Sequence, residues 1–207
     1  MVRFVWAGML MLLTGCFEAE LAHHVNEDRS LTRRTALAID SRFYDLVDWT
    51  GQAAALCPSD ARVEENDRVI CRTEAVLPLS ALPSRPGLTD EGLAVSAREM
   101  AGGLVRISIP VGAIRARMAE QVEEQVSGAA PKGLTMALMQ GSMADRTIQF
   151  TISGAKVQAS TGTILPGAGV AEYHLPMAAL FDPTVEVPET FSADVKPKVC
   201  ANSFICD

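Results

Sequence analysis

Three kinds of side chain in this sequence could do chemistry: five cysteines, three histidines and a methionine cluster. Cys16 stands directly after Leu13, Thr14 and Gly15. A thiol is the nucleophile a thioether requires, and small residues before it let the backbone enter a membrane peptidase. The other four, Cys57, Cys71, Cys200 and Cys206, are an even set, which in an exported chain reads as two disulfides. Three connectivities are open to them. The local one, Cys57–Cys71 with Cys200–Cys206, is favoured. Neither pair has the close spacing of a zinc site, and no histidine is nearby.

His23 and His24 are consecutive in a segment of strand periodicity. Their rings face opposite ways and cannot share a metal. Both, like His174, read as surface or edge residues. No G-x-S-x-G, H-E-x-x-H, G-x-G-x-x-G or P-loop pattern occurs. Gly167-Ala168-Gly169 reads as turn punctuation. The carboxylate pairs Glu64-Glu65 and Glu123-Glu124 lie in polar surroundings without the apolar burial that would suit acid catalysis. Met136, Met139 and Met143 fall on one face of a helix, beside Leu134 and Leu138. Thioethers can hold Cu(I), but no His or Cys accompanies them. Core packing, or an exposed apolar groove for an acyl chain or a partner helix, is the better reading. No catalytic residue, metal or cofactor is assigned, and the chain is read as non-enzymatic.

The element that positions Cys16 is a short leader. Met1-Val2-Arg3 carries one positive charge, and Phe4 to Leu12 is an apolar run of nine residues. That length suits a signal peptide, about 7–15 residues, and falls short of the roughly 20 that cross a bilayer. Together with Leu13-Thr14-Gly15-Cys16 it resembles the lipobox of bacterial lipoprotein precursors. The resemblance implies a diacylglyceryl thioether at Cys16, cleavage that removes residues 1–15, and acylation of the new amine, palmitate being a typical chain. Two or more chains hold a protein to a bilayer where one is marginal. The expected place is the cell envelope, membrane-bound and facing the periplasm. Phe17 rather than Asp after the cysteine points to the outer membrane over the inner.

The chain has 207 residues, nearly half of them apolar, and a formal net charge of −7. It is long enough to bury a core and too apolar for disorder. An acidic chain offers no electrostatic footprint for nucleic acid and no polybasic patch for anionic lipid. The expected partners are the membrane, through the anchor, and an envelope protein or a lipid.

Period-two alternation predicts strands at 17–25 and 31–39, joined by the turn cluster 26–30. A helix follows from Asp40 or Ser41 to Cys57-Pro58, with Phe43, Leu46, Val47, Thr50 and Ala54 on one side. Residues 58–68 read as a polar loop, 69–76 as a strand and 77–90 as an irregular crossing. A second hairpin is predicted from Leu93 to Ile109 around Gly102-Gly103. Ile114, Met118, Val122 and Val126 mark an amphipathic helix over 113–126, and 134–143 a more apolar one. Strands are expected at 148–153, and as a pair at 156–160 and 169–175. A helical turn at 176–181, an extended run at 185–195 and a disulfide-closed tail at 196–207 follow. The whole reads as one α+β domain, 16–195. An antiparallel sheet built from hairpins carries helices on one side, and a helical insert at 113–143 packs as a small lobe.

The order of these elements resembles the LppM-type lipoprotein domain. Cys16 leads straight into a hairpin and a helix containing Phe43. Later, Ile148-Gln149-Phe150-Thr151-Ile152-Ser153-Gly154 precedes Val157-Gln158-Ala159-Ser160-Thr161-Gly162-Thr163, where that family has a strand, a Gly turn and a second short segment. Thr161-Gly162 replaces the usual Asn-Gly, and no Trp follows. The resemblance implies a membrane-anchored interaction or scaffold module and supplies no catalytic residues. The alternative reading is a carrier for a lipid or other hydrophobic ligand, using the face of Leu134, Met136, Leu138, Met139 and Met143.

Overall fold

The structure, a computed structural model, describes residues 17–41, 44–45, 57, 59–89, 92–127, 146–180, 182 and 184–197. The alternation at the start of the chain becomes a hairpin of β1 (Phe17–Val25) and β2 (Ser30–Asp40), in register from Phe17↔Ile39 to Val25↔Leu31. Asp28 shapes its turn by accepting hydrogen bonds from the Ser30 N–H at 3.0 Å and hydroxyl at 2.6 Å. β3 (Arg62–Glu65) and β4 (Arg68–Pro78) extend the sheet beyond β2.

After the two-stranded pair β5 (Gly87–Thr89) and β6 (Gly92–Ala94), the hairpin β7 (Ser96–Glu99) and β8 (Val105–Ile109) opens a second sheet. Helix α1 (Val111–Ser127) leaves β8 and packs Ile114 and Met118 against the core. β9 (Thr147–Ser153) then returns to the first sheet beside β1, with β12 (Val170–Pro176) and the short β11 (Thr163–Ile164) outside it. β10 (Lys156–Ser160) and β13 (Phe191–Lys196) complete the second sheet.

The result is a seven-stranded sheet, β11-β12-β9-β1-β2-β4-β3, and a four-stranded sheet, β10-β13-β8-β7. All pairings are antiparallel except one: β1 runs parallel to β9, with Leu21 beside Phe150 and His23 beside Ile152. The core lies between the sheets. Ile148, Phe150 and Ile152 of β9 and Leu175 of β12 meet Ile107 and Ile109 of β8 and Phe191 and Val195 of β13. Each such side chain, fully buried, contributes about 1.5–3 kcal/mol. Gly162 sits where the chain passes β12 closely: a Cβ there would lie 2.3 Å from the Glu172 carbonyl oxygen. A separate small cluster, Ile39, Tyr44, Cys57, Val69 and Cys71, lies on the core side of β2 and β4.

The expected α+β architecture is therefore overturned. The described fold is mostly sheet, mixed rather than purely antiparallel, with one long α-helix among the described residues; Ser41, Tyr44 and Asp45 are also helical. Helices on one side of a sheet are replaced by a second sheet. β8 and β13 bury alternate apolar residues, Val105, Ile107 and Ile109 with Phe191, Ala193 and Val195, in the same core as β9 and β12, so strands occupy the place where helices were expected. Residues 58–68, expected as a loop, include β3. Residues 156–160 and 169–175, expected as a pair, part to different sheets: β10 joins β13 and β12 joins β9. Of 185–195, only 191–195 is strand, in a β13 that runs on to Lys196. The helix 111–127 is one residue longer at its end and two at its start than its apolar spacing suggested. The second predicted helix, 134–143, most of the first, 40–57, and the tail cysteines lie outside the described residues.

Cys57 and Cys71 are bonded, with Cα atoms 5.4 Å apart and both residues buried. This bond closes a loop 14 residues apart in sequence, and a loop of that size stabilises by about 3 kcal/mol in the chain-entropy account. Replacing both cysteines by serine is expected to lower the unfolding free energy by about 2–4 kcal/mol in a denaturant titration with oxidised wild type as reference.

Candidate functional site

The outward face of the seven-stranded sheet forms a trough. Its floor and walls come from alternate residues that the buried ones force outward: Glu18, Glu20 and Ala22 of β1, Ala36 and Ala38 of β2, Arg68, Ile70 and Arg72 of β4, Thr147 and Gln149 of β9, and His174 of β12. The main depression encloses about 470 Å³, and a second of about 350 Å³ shares Glu20, Ala36 and Arg72 with it. Short alanine side chains make the hollow. Arginines and glutamates make its rim.

The rim is built from ion pairs between strands. Arg68 grips Glu18 with both terminal nitrogens, at 2.8 and 3.1 Å, and Arg146 approaches the same carboxylate at 3.5 Å. The hydrogen bond from Arg68, then the charges of Arg68 and Arg146, hold the Glu18 carboxyl below its ordinary range despite partial burial. Arg72 lies 3.8 Å from Glu65, and Arg34 donates to Glu74 at 2.7 Å. His174 Nε2 stands 3.4 Å from Glu172. Exposed pairs of this kind contribute at most about 1 kcal/mol each, so their effect is chiefly to fix where charges sit. Glu18, Arg68, Arg146 and Thr147 mark the end of the trough at which β1 begins.

The histidines divide. His24 is exposed and hydrogen-bonds through Nδ1 to Ser153 Oγ at 2.9 Å, and His174 is exposed on the same face. Their rings do point away from that of His23, as strand geometry requires. His23, expected at the surface or an edge, is instead fully buried, with both ring nitrogens outside hydrogen-bonding reach of any partner. It occupies a core-facing position between Leu21 and Val25: β9 beside β1 makes β1 an interior strand, and this face of it packs into the core shared with the second sheet. Burial, with the nearby charge of Arg33, pushes its pKa down to about 4, against the opposing pull of the Thr151 backbone.

Cys57 and Cys71 bond on the buried side of β4, opposite the trough that Ile70 and Arg72 line, and act as a staple. Glu64 pairs with Arg62, and Glu65 with Arg72, so that carboxylate pair is structural. Residues Gly167 and Ala168 turn with positive φ, consistent with turn punctuation. Cys16, Cys200, Cys206 and the face of Leu134, Met136, Leu138, Met139 and Met143 lie outside the described residues. Among the described residues no three His, Cys, Asp or Glu side chains come together to hold a metal, and no helix is long and apolar enough to cross a membrane. Sequence reading missed Arg68, Arg72 and Arg146. The alternation placed Glu18 and Glu20 on one face, but their partners are set by sheet order.

No family model matches the chain, and no curated protein matches it. A structural comparison finds the NMR structure of the folded domain of LppM from Mycobacterium tuberculosis. That structure has a TM-score of 0.45 and 11% sequence identity over 88% of this chain and 91% of that one.

The buried imidazole sets a pH dependence. Unfolded, His23 takes a proton near pH 6.5; folded, near 4. The unfolded state therefore binds more protons between these values, and stability falls as pH drops from about 6.5 to 4. The loss totals about 3 kcal/mol at 1.36 kcal/mol per unit. His23→Leu is expected to flatten this part of the stability–pH curve and to raise stability at neutral pH by about 1–3 kcal/mol. An unchanged acid slope in the variant would assign the dependence elsewhere.

Proposed function

We propose that the chain is a bacterial envelope lipoprotein, held by acyl chains on Cys16, whose sheet domain is a non-enzymatic interaction module. The observation that carries this reading is the start of β1 at Phe17, the residue after Cys16. A chain lipidated at Cys16 has no tether, so the Phe17 end of the seven-stranded sheet lies against the bilayer. The trough reaches that end at Glu18, Arg68 and Thr147. Its charged groups pair across strands and hold fixed positions, which suits recognition by shape and charge pattern.

The partner favoured is an envelope protein presenting a protruding segment with charges of both signs, able to reach the alanine floor between the arginine and glutamate rims. The alternative, a carrier for a hydrophobic ligand, draws support from Ala36, Ala38 and Ile70 on that floor. The charged rim favours the protein partner.

Cys16→Ser is expected to abolish incorporation of labelled fatty acid and to release the protein from the membrane fraction. A variant that still carries label would refute the anchor. Ala36→Trp fills the trough from its floor, and is expected to lower crosslinking to the envelope partner at least fivefold while keeping the membrane attachment. Crosslinking unaffected by Ala36→Trp would remove the trough from the reading. Lipid retained by the wild type in native mass spectrometry, and lost in Ala36→Trp, would select the carrier.

A further inference from the structure

We infer that the outward face of the four-stranded sheet docks an anionic polysaccharide. The register of this sheet sets like charges opposite one another. Lys156 of β10 lies across from Lys196 of β13, and Arg98 of β7 across from Arg106 of β8. All four are exposed, on the face opposite buried Val157, Val195, Val105 and Ile107. Like charges placed directly opposite destabilise an antiparallel pair, so the Lys156–Lys196 pair works against the sheet that carries it, whereas Arg106 is offset by Asp194. The chain as a whole is acidic, with net charge −7, so the cluster does not follow from composition.

The carboxylates beside the cluster are engaged. Asp194 lies opposite Arg106 and accepts two hydrogen bonds from it, at 2.6 and 2.8 Å. Glu99 is taken by Arg29 at 2.8 Å. Lys156, Lys196 and Arg98 remain available. Next to the cations on the same face runs a row of hydroxyls, Ser96 opposite Ser108 and Ser108 opposite Ser192. Ser96 is buried, whereas Ser108 and Ser192 are half-exposed.

Charge complementarity selects an anion, and the hydroxyl row selects its class. A sugar chain bearing acid groups offers charges to the cations and ring hydroxyls to the serines. A protein partner would call for an aromatic or large apolar anchor. The exposed large apolar side chains among the described residues, Val63, Val76, Leu88 and Ile164, all lie on other strands. Position argues against the anchoring bilayer. A Cβ on Gly154 would meet both Val195 and the Val25 carbonyl, so the lysine pair lies by the Val25 end of β1. Nine residues of strand put that end roughly 26 Å from Phe17. This exclusion of the bilayer rests on the anchor at Cys16; the binding measurement does not.

The test titrates the purified protein with dextran sulfate, and separately with neutral dextran, poly-glutamate and phosphatidylglycerol vesicles. Dextran sulfate is expected to bind, neutral dextran not, and binding is expected to weaken steeply with salt. Lys156→Glu with Lys196→Glu is expected to weaken it at least tenfold, and Lys156→Gln with Lys196→Gln by a smaller factor, both with a shallower salt dependence. The glutamine variant keeps the measurement meaningful should charge reversal impair folding. Equal affinity in wild type and glutamine variant overturns the proposal. So does tighter binding to poly-glutamate, which would indicate an acidic protein, or binding to vesicles without binding to dextran sulfate.

Discussion

The parallel pairing of β1 with β9 is the constraint on which the remainder depends. β1 and β2 are a local hairpin, and β9 arrives only after β3 to β8 and α1 have been laid down. A parallel neighbour cannot come from a hairpin and needs a long crossover. Once formed, the pairing sets Leu21 beside Phe150 and Ala19 beside Ile148. That joins the first half of the seven-stranded sheet to the second and gives the four-stranded sheet an apolar surface to cover. Without it, the hairpin would present Leu21 and His23 to water.

The same register decides what faces outward. Side chains alternate strictly along a strand, so burying Ile148, Phe150 and Ile152 turns Thr147, Gln149 and Thr151 to the opposite face. There they line up with Glu18, Glu20 and Ala22, and with Ala36 and Ala38 beyond. The trough is thus a consequence of core packing, with its depth set by alanines and its charge pattern by arginines from β4 and the start of β9. His23 shows the opposite side of this coupling. Its position in the alternation is fixed as core-facing, and the fold accepts an imidazole with two unsatisfied nitrogens there. Such a group lowers stability relative to an apolar side chain of the same shape.

Two features of the surface pull in different directions. On the large sheet, opposite charges meet across strands, as with Arg68 and Glu18 or Arg34 and Glu74. On the small sheet, like charges meet, as with Lys156 and Lys196. The first arrangement is quiet electrostatically at a distance, because each pair largely cancels. The second projects a field from a protein whose overall charge has the opposite sign. The two faces therefore suit different partners: a close-fitting shape on one, a charged polymer on the other.

The sequence by itself determined the local elements. Alternating apolar residues marked β1, β2, β4, β8 and β9, four-residue spacing marked α1, and the closeness of Cys57 to Cys71 made their bond a natural choice among the possible pairings. Those signals rest on periodicity within a few residues of each other. The tertiary structure alone decided how the strands were shared between two sheets. Val157 and Leu175 carry similar alternation, yet one strand joins β13 and the other β9, because pairing partners are chosen by long-range burial that no local pattern encodes. The position of His23 was decided in the same way, since a strand's two faces look alike until something packs on one of them. So was the trough: Glu18 and Arg68 meet across 50 residues of sequence, brought together by sheet order and not by spacing.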